Sequence, residues 1–207
     1  MTESRFTEDD LGPSAEEKSA ARRHLVEKGA ASLAVLAAGV WVGGMIALGA
    51  CAAPFVFRIT PAPFSGDAMA AAFSRFDQIE LGAAVLILGA EVTRTWAAGP
   101  KQSRKRSARL RRLLAVVMAA AAAYAGLSLT PHIVELHKAG ARRGQGPEGE
   151  ELERTHKRAE AVGKAETIMG VALIGLHVFT LGSKRPDEDD EDHEYQAPLA
   201  PGPREPG

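Results

Sequence analysis

The chain has 207 residues, a hydrophobic share of 45% and a formal net charge of -1. This balance excludes a global basic field of the kind that attracts nucleic acid, and the single cysteine excludes an internal disulfide framework or a multi-cysteine metal site. The averages resemble those of a soluble domain, but the apolar residues form blocks. The stretch from Gly29 to Phe57 contains no Asp, Glu, Lys or Arg. Because about 20 apolar residues cross a hydrocarbon core, the sequence predicts an integral membrane protein.

Residues 1–28 are predicted to form a cytoplasmic segment that is polar and disordered as far as Pro13. Ser14 and Glu17 have the spacing of a capping box, which predicts a helix over the rest of this segment. The basic residues of that helix would contact anionic headgroups. The sequence leaves open whether the helix continues into the first span.

The first span is predicted over residues 30–57. Gly39 and Gly43 have the G-x-x-x-G spacing that allows two membrane helices to approach closely, and we expect them to form a packing face. Pro54 is expected to kink or end the helix. Cys51 is expected to be a small buried thiol. The residues before it resemble a lipoprotein cleavage box, but the apolar run continues past Cys51, which favours a retained span.

The second span, predicted over residues 70–98, is the most polar one. Asp77, Glu80, Glu91 and Arg94 recur at intervals of three and eleven residues, which places them on one side of a helix. A helix of this kind crosses a membrane when its polar stripe faces other helices. Within the stripe, Glu91 and Arg94 are expected to pair.

A basic block without acids precedes the third span, which is predicted over residues 113–131. The fourth span is predicted over residues 163–183. Acid-to-base pairs at a spacing of four residues predict an exposed helix that runs directly into it: Glu150 with Arg154, Glu153 with Lys157, and Glu160 with Lys164. Residues 184–207 are acidic and then proline-rich, and a disordered tail is predicted there.

These elements predict an all-α fold, an integral membrane bundle of four transmembrane helices over residues 29–183 with disordered polar tails. Lys and Arg are concentrated at the two tails and in the connection between the second and third spans. Since cytoplasmic loops carry this excess, both termini are expected to be cytoplasmic, in the inner or plasma membrane of a bacterium. The lipid bilayer is the expected partner. A homo-oligomer or a membrane partner is left open, and no nucleic acid is expected.

Short motifs in the spans resemble the transmembrane-protein-205-like family, also called domain of unknown function 4149. They are Trp41-Val42-Gly43-Gly44, Pro54-Phe55-Val56-Phe57-Arg58, Thr130-Pro131-His132-Ile133, and His156 followed by Ala161-Val162-Gly163. The resemblance implies a four-helix membrane bundle with no established reaction. It also implies a distant likeness, in helix pattern only, to copper-resistance membrane domains. Family members often carry a serine after the fourth-helix histidine, where this chain has charged residues or alanine.

A candidate intramembrane site follows from the fourth helix. His156, Glu160 and His177 fall on one helix face by alternating steps of three and four residues. With His132, His137 and the stripe of the second span, they would line a polar interior. Imidazole and carboxylate groups suit a transition metal or a proton relay, whereas the simpler interpretation is structural polarity.

Three functions remain open on the sequence. The first is the permeation of a small solute or ion, or resistance to one. The second is a membrane scaffold that binds partners through glycine faces and the acidic tail. The third is a metal-binding membrane protein of the copper type. No nucleotide-binding, zinc-protease or serine-hydrolase motif occurs, so neither enzymatic activity nor a cofactor is expected.

Overall fold

The computed structural model describes residues 14–61 and 64–182, and this part of the chain consists of long helices without strands. The helices are α1 (Ala15–Ile46), α2 (Ala53–Ile59), α3 (Phe64–Ser103), α4 (Arg106–Tyr124), α5 (Thr130–Lys138) and α6 (Gly146–Gly182). Two π-helical turns, π1 (Ala47–Ala52) and π2 (Ala125–Leu129), connect α1 to α2 and α4 to α5. The all-α prediction is confirmed. The predicted disordered segments, residues 1–13 and 184–207, lie outside the described residues.

Four helical stretches in the described part of the chain are long and apolar enough to cross a membrane. They are Ala15–Ile59, Phe64–Gly99, Arg106–Lys138 and Gly146–Leu181, called here the first to fourth spans. Each contains more residues than the apolar core of a bilayer requires. The second span ends at Gly99, whose φ of 73° breaks the helical backbone. Glycine fits this position because it adopts positive φ without a steric penalty.

The N-terminal helix and the first span are one continuous helix, α1, which answers the question that the sequence left open. The predicted capping box begins it. The Ser14 hydroxyl accepts a hydrogen bond from the Glu17 amide at 3.2 Å, and the Glu17 carboxylate accepts one from the Ser14 amide. These two bonds satisfy amide groups that have no partner within the helix, so the helix begins at Ala15.

Pro54 and Pro131 lie well inside the first and third spans, and a π-helical turn precedes each of them. Proline lacks an amide hydrogen and its ring crowds the carbonyl group one turn earlier. The wide turn of π1 before Pro54 and of π2 before Pro131 provides the local adjustment that lets a helix continue through such a residue. The first span therefore continues to Ile59, and of the two expected effects of Pro54, a kink or an end, the end does not occur.

The exposed helix and the fourth span are also one continuous helix, α6, as predicted. Lys157 lies 3.4 Å from Glu153, and Lys164 lies 2.6 Å from Glu160. The expected pair of Glu150 and Arg154 is replaced, since Arg154 contacts Glu151 at 3.2 Å. Surface pairs of this kind stabilise a helix by only about 0.3–0.5 kcal/mol each.

The four spans form an antiparallel ring in which each packs on two neighbours. The first packs on the second and fourth, and the third does the same from the opposite side. Small residues line the contacts and let the helices approach closely. The buried ones in α1 are Ala30, Ala31, Ala34, Ala37 and Ala38.

The glycine face expected from Gly39 and Gly43 does not pack against the described residues. Both residues are exposed, and a Cβ atom at either would have no described neighbour within 4 Å. The adjacent Gly44 does pack, because a Cβ atom there would overlap the ring of Phe76. Cys51 is also exposed, which corrects the prediction of a buried thiol. It lies in π1, where no residue is buried.

Large apolar side chains cover the outside of the bundle. Leu36, Val85 and Ile168, from three different spans, are each more than two-thirds exposed. An apolar surface of this extent is unfavourable in water and favourable in lipid. The inside of the bundle, in contrast, contains ionisable side chains.

Candidate functional site

Three carboxyl groups meet inside the bundle and are called here the acidic cluster: Asp77 and Glu80 of α3, and Glu166 of α6. Glu80 is 2% exposed and Glu166 is 1% exposed. Asp77 is half-buried, near the hydroxyl group of Thr130. Its side chain packs against Gly126 of π2, where a Cβ atom would lie 3.3 Å from the Asp77 Cβ. The glycine thus permits the close approach of the third span to the acidic cluster.

The acidic cluster has no cationic partner in the described part of the chain. No described Lys, Arg or His side chain forms an ion pair with these carboxyl groups. One oxygen of each is buried without a hydrogen bond from a described residue. Ionised carboxylates are expensive inside a membrane, and adjacent ones repel each other. These groups therefore favour the binding of a proton or another cation.

A second group of polar residues, called here the arginine–glutamate network, lies nearer the chain termini. It consists of Glu27 of α1, Glu91 and Arg94 of α3, Arg111 of α4, and His177 and Thr180 of α6. Arg111 Nε donates a hydrogen bond to Glu91 Oε1. His177 Nε2 lies 3.3 Å from the same oxygen, Glu91 Oε1. His177 is 0% exposed, so this imidazole lies entirely within the bundle.

The second arginine of the network fixes the orientation of the histidine. Arg94 Nη1 lies 2.7 Å from His177 Nδ1. Because a guanidinium group only donates, Nδ1 accepts this bond, and the proton of a neutral ring is then on Nε2, facing Glu91. Arg94 Nη2 donates to Thr180 Oγ1 at 3.3 Å and lies 3.8 Å from Glu27 Oε1 of α1. All four spans thus contribute to the network.

The expected pair of Glu91 and Arg94 is not formed, and each residue has another partner. Glu91 pairs with Arg111, and the carboxylate nearest Arg94 belongs to Glu27. Sequence reasoning missed Arg111 because it belongs to a block of basic residues that was interpreted as a topology signal. It also missed Glu166, although this residue precedes His177 by about three helical turns, as Glu80 precedes Glu91.

An apolar layer separates the acidic cluster from the arginine–glutamate network. Its central side chains are Ile87 of α3, Met118 of α4 and Leu173 of α6, each at most 1% exposed. The uncharged residues of α3 between Glu80 and Glu91 rise about 16 Å. A hydrocarbon core is about 30 Å thick, so both polar groups lie inside it when this segment is centred in the bilayer.

The remaining candidate residues lie outside both groups. Glu160 is exposed and pairs with Lys164, so it does not line the interior. His156 is half-buried, and its ring stacks edge-on against His137 with a centroid distance of 5.8 Å. Nine residues were proposed for the polar interior, and five of them lie there, divided between the two groups: Asp77, Glu80, Glu91, Arg94 and His177. His132 and His137 are exposed. The described residues contain no group of three or more His, Cys, Asp or Glu arranged to hold a metal ion.

The fold and its apolar surface define a multi-pass membrane protein with ionisable groups buried between the helices. The chain belongs to the family described as a domain of unknown function, DUF4149, whose family model matches residues 36–142. The match includes Asp77, Glu80, Glu91, Arg94 and Arg111. Glu166, His177 and the motif residue His156 follow it on α6. No curated protein and no solved structure matches the chain.

Proposed function

We propose that this protein is a permeation protein for protons or small cations rather than an enzyme. The observation that carries the proposal is the acidic cluster, whose carboxyl groups have no cationic partner among the described residues. Intramembrane carboxyl groups are costly and are characteristic of ion pathways and proton relays. Repeated uptake and release of a cation by these carboxyl groups would explain why they are present in the membrane despite their free-energy cost.

The position of the polar groups supports gated movement. Half-buried Asp77 and Thr130 connect the acidic cluster to the end of the bundle where α5 meets α6. The arginine–glutamate network lies toward the opposite end, where α3 is followed by α4. The apolar layer between them excludes a continuous chain of water, as a hydrophobic gate does. We therefore propose that the structure is a closed state.

Glu80→Gln and Glu166→Gln are each expected to reduce proton flux at least about tenfold in protein-containing liposomes, because an amide cannot take up the cation. Flux is measured with a pH-sensitive dye inside the vesicles, with a potassium gradient and valinomycin as the driving force. A sodium-sensitive dye in parallel vesicles identifies a cation other than the proton. Glu160→Gln is the matched control, since Glu160 is an exposed carboxylate on the same helix.

Equal flux in the three variants and the unmodified protein, with intact folding, would remove the basis of the proposal. That result would favour the scaffold function, for which the outward-facing Gly39 and Gly43 provide a surface without neighbours among the described residues.

A finer family assignment, to the transmembrane-protein-205-like proteins, is part of the proposal. It is supported by the positions of the motif residues Trp41 and Gly44, which adjoin Glu80 and Phe76 respectively.

We further propose that both termini face the cytoplasm of a bacterial cell. Arg104, Lys105, Arg106 and Arg109 are exposed at the same end of the bundle as the start of α1. In a Cys51→Ser background, Gln145→Cys is expected to react with a membrane-impermeant maleimide in intact cells. Ser14→Cys is expected to react only after lysis. The reverse pattern would show that the opposite orientation is correct.

A further inference from the structure

A small cavity lies beside the arginine–glutamate network, where α3 breaks and α4 begins. Its volume is about 60 Å³, enough for several water molecules or one small anion. Arg94, Lys105 and Arg111 provide basic groups to its wall, Ser107 provides a hydroxyl group, and Thr180 accepts hydrogen bonds from the two arginines. These side chains come from α3, α4 and α6 and from the residue that precedes α4, so the cavity exists only in the assembled bundle.

The basic groups around the cavity are incompletely neutralised. Glu91 is engaged by Arg111, and Glu27 approaches Arg94 only to 3.8 Å. Arg94 is 3% exposed, yet its Nε is buried without a hydrogen-bond partner among the described residues. A buried guanidinium group with an unused donor is unfavourable, and a second buried guanidinium in the same wall adds repulsion. An anion in the cavity would relieve both.

The first turn of α4 adds positive potential to the same wall. The cavity is lined by Ser107 and Ala108 of this turn and by Lys105, which directly precedes it. The turn contains no acidic residue, and no described side chain caps it. A helix of this length carries partial positive charge at its start, and its free amide groups bind oxyanions readily. Guanidinium, ammonium, hydroxyl and amide donors together match the tetrahedral oxygens of phosphate.

We infer that this cavity binds a phosphate group, and that the expected source is the headgroup of an anionic phospholipid. The cavity extends from the buried arginines to exposed Lys105, beside the connection between α3 and α4. A basic pocket between membrane helices that opens at the lipid headgroup level is a typical site for such lipids. An apolar groove of about 450 Å³ between α1 and α3 supports this source. It extends from Leu33 to Val26 along α1 and from Val85 to Thr93 along α3. Two wall residues of the cavity adjoin the groove: Glu27 directly follows Val26 on α1, and Arg94 directly follows Thr93 on α3. An acyl chain in the groove would therefore lie next to the headgroup.

The inference is tested by thermal unfolding of the full-length protein in uncharged detergent, independently of any flux. One arm adds dihexanoyl phosphatidylglycerol and its control adds dihexanoyl phosphatidylcholine. A second arm adds sodium phosphate, with sodium chloride at the same ionic strength as its control. Phosphatidylglycerol is expected to raise the Tm in a saturable manner, because a ligand of the folded state stabilises it. An increase with inorganic phosphate alone would identify a soluble phosphate ligand at the same site.

Lys105→Gln is expected to weaken the apparent affinity about fivefold, the effect of one lysine near an anionic headgroup. Lys105 is exposed, so its replacement leaves the buried network intact. Arg109→Gln is the matched control, since Arg109 is exposed on the same basic segment and does not line the cavity. Equal weakening by both variants would mean that phosphate is attracted by the surface alone, and the site would be rejected. An unchanged Tm in both arms would reject it as well.

Discussion

Replacing Arg111 by alanine is expected to lower the free energy of unfolding by about 3–5 kcal/mol, the usual cost of removing one partner of a buried ion pair. Arg111 is 6% exposed and donates to Glu91, which is 3% exposed. Without the guanidinium group, the Glu91 carboxylate remains inside the bundle without its ion-pair partner, beside the imidazole of His177. The measurement is unfolding in detergent micelles, followed by circular dichroism as a chemical denaturant is increased.

Two comparisons separate this effect from a general loss of positive charge. Arg109→Ala, on the same helix but exposed, is expected to change the free energy of unfolding by less than about 0.5 kcal/mol. Combining Arg111→Ala with Glu91→Gln is expected to recover part of the loss, because the unpaired charge is then absent. The interpretation of Arg111 as a structural partner fails when Arg111→Ala and Arg109→Ala are equally stable.

The spans are predictable from the sequence because their main determinant is local. An uncharged stretch such as Gly29 to Phe57 has one favourable environment, and the helix is the one backbone structure that satisfies its own hydrogen bonds there. The stripe of α3 is predictable for a related reason. Charges that recur at helical intervals, such as Glu80 and Glu91, must face the same side, and lipid does not accept that side.

The partners of the stripe depend on the rotation of the neighbouring helices, which the sequence does not determine. Arg111 turns inward although most of its basic segment is exposed, and this choice depends on the position of Glu91 on another helix. Gly39 and Gly43 illustrate the opposite case. Their spacing is that of a contact face, but in α1 the alanines on the other side of the helix form the contact. Small residues all around the helix make either side sterically suitable.

The family match and the site overlap unevenly, which bears on how the bundle works. The first three spans contribute most of the matched residues, including every member of the stripe on α3. The fourth span contributes Glu166 to the acidic cluster and His177 to the network, and both are fully buried. Each polar group is therefore completed by α6. Movement of α6 relative to α3 would change both groups together, and it would also displace Leu173 from the apolar layer between them.

Leu173→Asn is accordingly expected to increase proton flux at least about tenfold in the liposome assay, because a polar side chain of similar size would allow water into the apolar layer. Leu173 is 0% exposed and lies between Glu166 and His177 on α6, one helical turn before His177. Leu173→Val is the control, since it shortens the side chain but keeps the layer apolar. Both variants lose some stability, through an unsatisfied polar group or a small cavity, so flux is compared per folded protein.

A similar increase in the two variants would attribute the leak to loosened packing. No increase in Leu173→Asn would mean that the apolar layer is not the barrier. The triple combination with Glu80→Gln and Glu166→Gln is expected to return flux to the low level of the carboxyl variants, since a cation that passes the layer must still exchange with the acidic cluster.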